Sequence, residues 1–284
     1  MEIISLKPFG YCVGVSNAIS LILKEKEEHP NDEIFLLGLP VHNEEVVNTL
    51  KEKNIHLIDE KTIDLEKALE EIKEGSTVIF SAHGHPKKYE EIAKRRNLKI
   101  VDTTCKFVNE NLLYAIKENK DVIYIGKATH LETMAFLANY PSSFYDVNSK
   151  KLVLKEGIKD PLIISQTTLT EKEIEEGEKE IYSIFPNPIK GKERCFSTKL
   201  RQDAIKNLDR KSVDYVLVLG SKLSSNSLAL YSLALSLGFE AYICLNLEEV
   251  KKIKFDKNKK IALTSGASTS QATFNEVYNY LKEI

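Results

Sequence analysis

The stretch DYVLVLGSKLSSNS, residues 214–227, passes from an unbroken apolar run through one glycine into hydroxyl and amide residues. The run reads as a strand. Ser224, Ser225 and Asn226 read as the start of a helix, because serine and asparagine are favoured helix N-caps. The same order recurs along the chain. Further strand candidates are EIISL, EIFLLG, TVIFSA, LKIVD, DVIYIG, PLIIS, AYICL and KIALTS. Helical patterns lie near residues 15–28, 43–53, 64–74, 87–96, 106–119, 171–184, 199–210, 225–237 and 271–283. Strands alternating with helices predict parallel sheets and an α/β fold. Polar loops follow the strands at SAHGH (81–85), GKATH (126–130), SQTT (165–168), GSKLSSNS (220–227) and TSGAS (264–268). Parallel sheets bind ligands at the carboxyl ends of their strands, so these loops predict one shared site.

The totals bound the function. The chain has 284 residues, 42% hydrophobic and 29% charged, which is ordinary for a globular protein. A length of 284 residues fits two or three lobes or one large α/β unit. A net charge of −2 gives no general attraction to nucleic acid or to a membrane surface. No apolar run approaches a membrane span, and MEIISLKPFG lacks the charge pattern of a signal peptide. The expected location is the cytoplasm, where four cysteines point to metal, catalysis or burial rather than disulfides.

Cys12, Cys105 and Cys195 recur at intervals of 93 and 90 residues, each leading into a helical pattern. The chain therefore reads as three α/β lobes, residues 14–104, 105–191 and 192–284, with the N-terminal segment 1–13 joined to the third. In GYCVGVSNAI (10–19), Gly10 and Gly14 flank Cys12 at a helix mouth, where unpaired N–H groups favour a thiolate. No C-x-x-C occurs, so the spacing alone is a weak metal signal. Three converging thiolates would nevertheless hold a 4Fe-4S cluster with one open iron able to act as a Lewis acid. Cys244, inside AYICL, reads as core.

His42 (PVHNEE), His83 and His85 (SAHGHP) and His130 (GKATHLE) occupy polar loops. Histidine there can bind phosphate or move protons. His29 reads as a turn residue and His56 as a strand residue. Ser268 in SGASTS reads as a second helix start. Each hydroxyl loop is equally a plain helix cap, but two such N-termini facing one cavity would form an anion site. Glu132 follows His130 in a loop and is a candidate proton donor. No P-loop and no G-x-G-x-x-G is present.

GYCVGVSNAI, PVHNEEVV, FSAHG with VDTTC, ATHLE, SQTTLT, CFSTKLRQ, GSKLSSNS and TSGAS stand in this order. Together they resemble the 4-hydroxy-3-methylbut-2-enyl diphosphate reductase (LytB) family over residues 3 to about 281. The resemblance implies three α/β lobes in pseudo-threefold arrangement around a central iron–sulfur site. It implies Cys12, Cys105 and Cys195 as ligands of a 4Fe-4S cluster with one open iron. His42, His83, Ser224, Ser225, Asn226 and Ser268 would hold the substrate diphosphate, with His130 contributing. Glu132 would deliver protons and Thr167 would orient the substrate hydroxyl. That hydroxyl would leave as water, with electrons from a ferredoxin or flavodoxin type donor.

The chain departs from the family pattern at Asn17, Lys106, Lys127, Leu131, Leu200 and Leu223, while the implied ligands are intact. These departures bear on rate, pocket shape and substrate. Competing readings are a divergent paralogue with the same cluster and another substrate, an iron–sulfur hydro-lyase, a cluster-based redox sensor, and a metal-free Cys–His hydrolase. Dependence on a reductant, and on all three cysteines, separates them.

Overall fold

The computed structural model describes residues 1–41, 43–191 and 195–284. The chain begins with β1 (Glu2–Ser5), α1 (Val13–Glu28), β2 (Ile34–Leu37), α2 (Glu44–Glu52), β3 (Ile55–Ile58), α3 (Leu65–Glu71), β4 (Thr77–Phe80), α4 (Lys87–Arg95) and β5 (Lys99–Asp102). It continues with α5 (Lys106–Glu118), β6 (Val122–Gly126), α6 (Leu131–Asn139), β7 (Ser143–Asp146), β8 (Lys151–Val153), β9 (Leu162–Ser165), α7 (Glu171–Ile184) and β10 (Ile189–Lys190). Then come α8 (Phe196–Lys206), β11 (Tyr215–Leu219), α9 (Ser225–Ser236), β12 (Glu240–Cys244), α10 (Leu247–Val250), β13 (Lys260–Ser265) and α11 (Gln271–Glu283).

The chain divides into two compact units. Unit 1 comprises Met1–Val15, Val41–Val46 and Cys195–Ile284; unit 2 comprises Ser16–Pro40 and Val47–Arg194. Unit 1 is built on one sheet of order β1-β13-β11-β12, parallel throughout. All of β11 is buried, which explains its unbroken apolar run: helices cover both faces of a parallel sheet. Leu217 and Leu219 pack with Phe274, Val277 and Leu281 of α11 on one face. Val216 and Val218 pack with Ile205 of α8 and Leu230 and Ala234 of α9 on the other.

Unit 2 holds two sheets. The first, β3-β2-β4-β5, is parallel and packs Val78 and Phe80 against Leu69, Tyr89 and Ile92. The second, β10-β9-β6-β7-β8, is parallel except for β7 with β8. Its Ile123, Ile125 and Ile163 face Ile174 and Ile181 of α7, and Tyr124 and Ile164 face Ala115 and Phe136.

Three α/β sheets agree with the expected class, and every strand expected from the sequence forms. Two local expectations need correction. Glu132 is not in a loop: it is the second residue of α6, whose N-cap is His130. Ser268 does not open a helix; the cap of α11 is Ser270, which accepts from the Thr273 N–H. Among the described residues no helix is long and apolar enough to cross a membrane.

Candidate active site

In unit 1 the sequence-predicted residues gather at the carboxyl ends of the strands. Gly266 N–H bonds the Leu219 carbonyl at 2.8 Å, tying the end of β13 to the end of β11. The helix that follows comes very close. A Cβ at Gly266 would lie 2.1 Å from Ser227 Oγ, and one at Gly220 would lie 2.3 Å from it. Only glycine admits this approach. It sets Ser224, the N-cap of α9, with Ser225 and Asn226, beside the TSGAS loop. The loop bearing Cys12 joins them, since the Cys12 N–H bonds the Ala267 carbonyl at 3.1 Å. Asn43 Nδ2 donates to the Ser268 carbonyl at 2.8 Å while its Oδ1 accepts from Glu45 N–H, so the end of the PVHNEE segment is fastened here. His42 lies outside the described residues.

Among the described residues, three buried groups in this cluster have no hydrogen-bond partner: the Asn226 amide at both polar atoms, Ser227 Oγ and Ser268 Oγ. Asn226 and Ser268 are each 5% exposed and Ser227 0%. A buried unpaired polar group costs about 1–3 kcal/mol, which a ligand with several acceptor oxygens would recover for the donors, Asn226 Nδ2 and the hydroxyls.

Arg201, on α8, is 1% exposed. Its Nε donates to the Ser265 carbonyl at 3.2 Å, Nη1 to the Ser197 carbonyl at 3.2 Å and to Ser197 Oγ, and Nη2 to the Gly10 carbonyl at 2.7 Å. Burial pushes its pKa below the usual value, and the nearby Cys12 and Cys195 thiols pull it back up. Among the described residues no acidic side chain forms an ion pair with it.

In unit 2 the site again lies at strand ends. Cys105 caps α5, and its N–H bonds the Ala82 carbonyl of the SAHGH loop at 3.0 Å. His83 follows β4, and its ring meets that of His130 edge-on at 5.4 Å. The His130 Nδ1 accepts from the Glu132 N–H at 3.2 Å. An accepting Nδ1 carries no proton, so the neutral ring carries its N–H at Nε2.

Glu132 is 3% exposed. Its Oε1 accepts from the Thr167 N–H at 2.8 Å and weakly from Tyr124 OH at 3.5 Å, and its Oε2 from Thr167 Oγ1 at 2.8 Å. Burial raises its pKa to about 7, against the lowering effect of these hydrogen bonds. Glu132 and Tyr124 line a pocket of about 120 Å³ with His85, Asp102, Asn111 and Asn139, enough space for several waters. Cys12, Cys105 and Cys195 are partly exposed and in no disulfide, whereas Cys244 is buried and its thiol is pushed up to about 11.

With this geometry in place, relatives identify the chain. The model of the LytB protein family matches residues 3–282. The chain belongs to the LytB family. It is 34% identical over 298 residues to the 4-hydroxy-3-methylbut-2-enyl diphosphate reductase of Vibrio vulnificus strain YJ016, covering 100% of this chain and 91% of that protein. A protein of the same name from Wolbachia pipientis wMel is 34% identical over 293 residues, covering 99% and 92%. The solved E-1-hydroxy-2-methyl-but-2-enyl-4-diphosphate reductase of Plasmodium falciparum has a TM-score of 0.83 at 28% identity, covering 99% of this chain and 88% of that one. A second solved reductase, titled the terminal enzyme of the non-mevalonate pathway, has a TM-score of 0.64 at 26% identity, covering 100% of both.

LytB proteins use an iron–sulfur cluster. Each unit offers thiols that suit such a group: in unit 1, Cys12 and Cys195 are partly exposed, with Arg201 near them and, among the described residues, no acidic side chain paired to it; in unit 2, Cys105 is partly exposed at the start of α5. The departures from the LytB pattern have plain local settings. Asn17 and Lys106 are exposed, Leu223 is 56% and Leu200 36% exposed, and Leu131 is buried. Lys127 Nζ pairs with Glu173 at 3.0 Å. Sequence reasoning did not single out Arg201, Asn43 or Tyr124. Arg201 stood in the quoted CFSTKLRQ, Asn43 in PVHNEE and Tyr124 in DVIYIG, and only their burial marks them.

Proposed function

We propose that this chain reductively removes the allylic hydroxyl of 4-hydroxy-3-methylbut-2-enyl diphosphate, giving isopentenyl and dimethylallyl diphosphate and water. The observation that carries it is Glu132, a buried carboxyl with a pKa near 7 held by Thr167, in a chain of the LytB family. Hydroxide is a poor leaving group, so the departing oxygen needs a proton. A carboxyl half-protonated at neutral pH gives one readily and recovers it. Thr167 Oγ1 orients the hydroxyl beside Glu132, and His130 contributes to holding the diphosphate. Two protons are consumed, one by the departing oxygen and one by the allylic carbon, and the pocket that Glu132 lines returns protons to it from water. Ser224, Ser225, Asn226 and Ser268 hold the diphosphate with His42 and His83, and the unpartnered Asn226 Nδ2–H and Ser268 hydroxyl donate to its oxygens.

Cys12, Cys105 and Cys195 are the proposed ligands of a 4Fe-4S cluster with one iron open. When bound, that group supplies the two electrons and a Lewis-acidic iron. A ferredoxin or flavodoxin type donor refills it, in the cytoplasm, where thiols stay reduced. The paralogue, hydro-lyase and sensor readings are not favoured, because the relatives that match over nearly their whole length carry the reductase name.

The test is anaerobic. The protein is reconstituted with iron and sulfide, mixed with reduced viologen, and given 4-hydroxy-3-methylbut-2-enyl diphosphate. Substrate-dependent viologen oxidation with formation of both five-carbon diphosphates is expected. A loaded cluster with no oxidation would overturn the substrate assignment.

A further inference from the structure

Arg201 is a buried charge that the proposed chemistry leaves without a task. Its hydrogen bonds end on three segments: Gly10, two residues before Cys12; Ser197, two residues after Cys195; and Ser265, at the end of β13. The acceptors are carbonyls and a hydroxyl, all neutral. A buried cation with neutral acceptors remains uncompensated, and an arginine cannot shed its proton to relieve this. Its electrostatic neighbours are the Cys12 and Cys195 thiols. Thiolate ligation makes a metal centre anionic, and groups around such a centre set both its retention and its potential.

We infer that Arg201 is a positioning residue that fastens the two cysteine-bearing segments of unit 1 to each other and supplies the positive charge facing their metal centre. The inference rests on the assignment of Cys12 and Cys195 as ligands. The planar fork does what an ammonium could not, since its separate N–H groups reach three segments at once. The charge acts on the centre itself: a nearby cation favours the more negative, reduced state.

The experiment compares wild type, Arg201→Lys and Arg201→Gln after reconstitution with iron and sulfide. Three readouts are taken: iron release to a chelator, the cluster's midpoint potential by a spectroscopically followed redox titration, and thermal stability. Arg201→Gln should release iron roughly 10–100-fold faster, the range seen when a group supporting a metal ligand is lost. Its cluster should also be harder to reduce than wild type. Arg201→Lys keeps the charge without the fork. It should hold a near-wild-type potential while still releasing iron faster. If Arg201→Gln only lowers thermal stability, and whatever cluster it loads keeps the wild-type potential, the charge role is overturned. Wild-type retention in both variants would overturn the fastening role. A wild-type protein that takes up no iron and sulfide would instead count against the cysteine assignment.

Discussion

Glu132 in unit 2 and Arg201 in unit 1 are the two charged side chains buried among the described residues, at 3% and 1% exposure. Unit 2 surrounds its acid with donors and lets burial lift the pKa to about 7, so the group can exist without charge. Unit 1 surrounds its base with neutral acceptors and leaves further buried polar groups, Asn226 and Ser268 among them, without a partner among the described residues. An acid of this kind exchanges protons. A fixed cation, and spare donors in the same unit, suit anions. On the proposed function, the acid of unit 2 would handle the proton, and the buried cation and unpartnered donors of unit 1 would meet part of the negative charge.

The largest expected effect bears on the metal. Cys12→Ser, Cys105→Ser and Cys195→Ser should each abolish cluster retention, read as iron and sulfide per chain after reconstitution, while Cys244→Ser keeps it. Unchanged iron content in any of the first three would remove that cysteine from the ligand set.

The buried acid should show itself in stability. The folded pKa of Glu132 lies above its ordinary value of 4.5, at about 7. Its favourable contribution is therefore fully present below about pH 4.5 and is lost as pH rises through 7. The loss is on the order of 3 kcal/mol, at 1.36 kcal/mol per pH unit. Denaturant unfolding of wild type and Glu132→Gln across pH 4 to 8 should reveal it: Glu132→Gln should lack this decline. Parallel curves would mean that the carboxyl ionises normally in the fold.

Asn226→Ala and Ser268→Ala sharpen the other side of the comparison. Neither removes a protein hydrogen bond of the unpartnered groups, so stability should change little. Each should weaken substrate binding by about 1–3 kcal/mol, roughly 5- to 150-fold in KM, with kcat less affected. A loss of stability with KM intact would make them core residues. The smallest effect is expected of Tyr124→Phe. It removes one weak 3.5 Å donor from Glu132, so the pH at which turnover falls should move slightly upward. A downward move would contradict the role given to that hydroxyl.

Much of the fold was legible because parallel strands covered on both faces write themselves as apolar runs, as β11 and β4 do. The loops after those runs carried the site residues for the same reason. Helix α6 was not legible. Leu131, Glu132, Thr133, Ala135 and Phe136 are all buried, so LETMAFLAN has no polar face to give a period, and its cap is a histidine. Glu132 therefore read as a loop residue. The short strands β7, β8 and β10 also escaped notice, being two to four residues at the side of a sheet whose centre is β6 and β9. Arg201 could not be found from sequence, because an arginine four residues from Ser197 on a helix is ordinarily a solvated one. Its burial comes from tertiary packing, where Gly10 and Ser265 close over it.

The most direct test of this division of labour is the pH dependence of kcat in the viologen assay, measured for wild type beside Glu132→Gln. Wild-type turnover should fall as pH rises through about 7, where Glu132 loses its proton. Glu132→Gln should keep its cluster and substrate binding, turn over roughly 10²–10⁴-fold more slowly below about pH 7, and lack the wild-type fall above it. A wild-type profile flat through neutral pH, or a Glu132→Gln enzyme of full activity, would contradict the claim that unit 2 supplies the proton through Glu132.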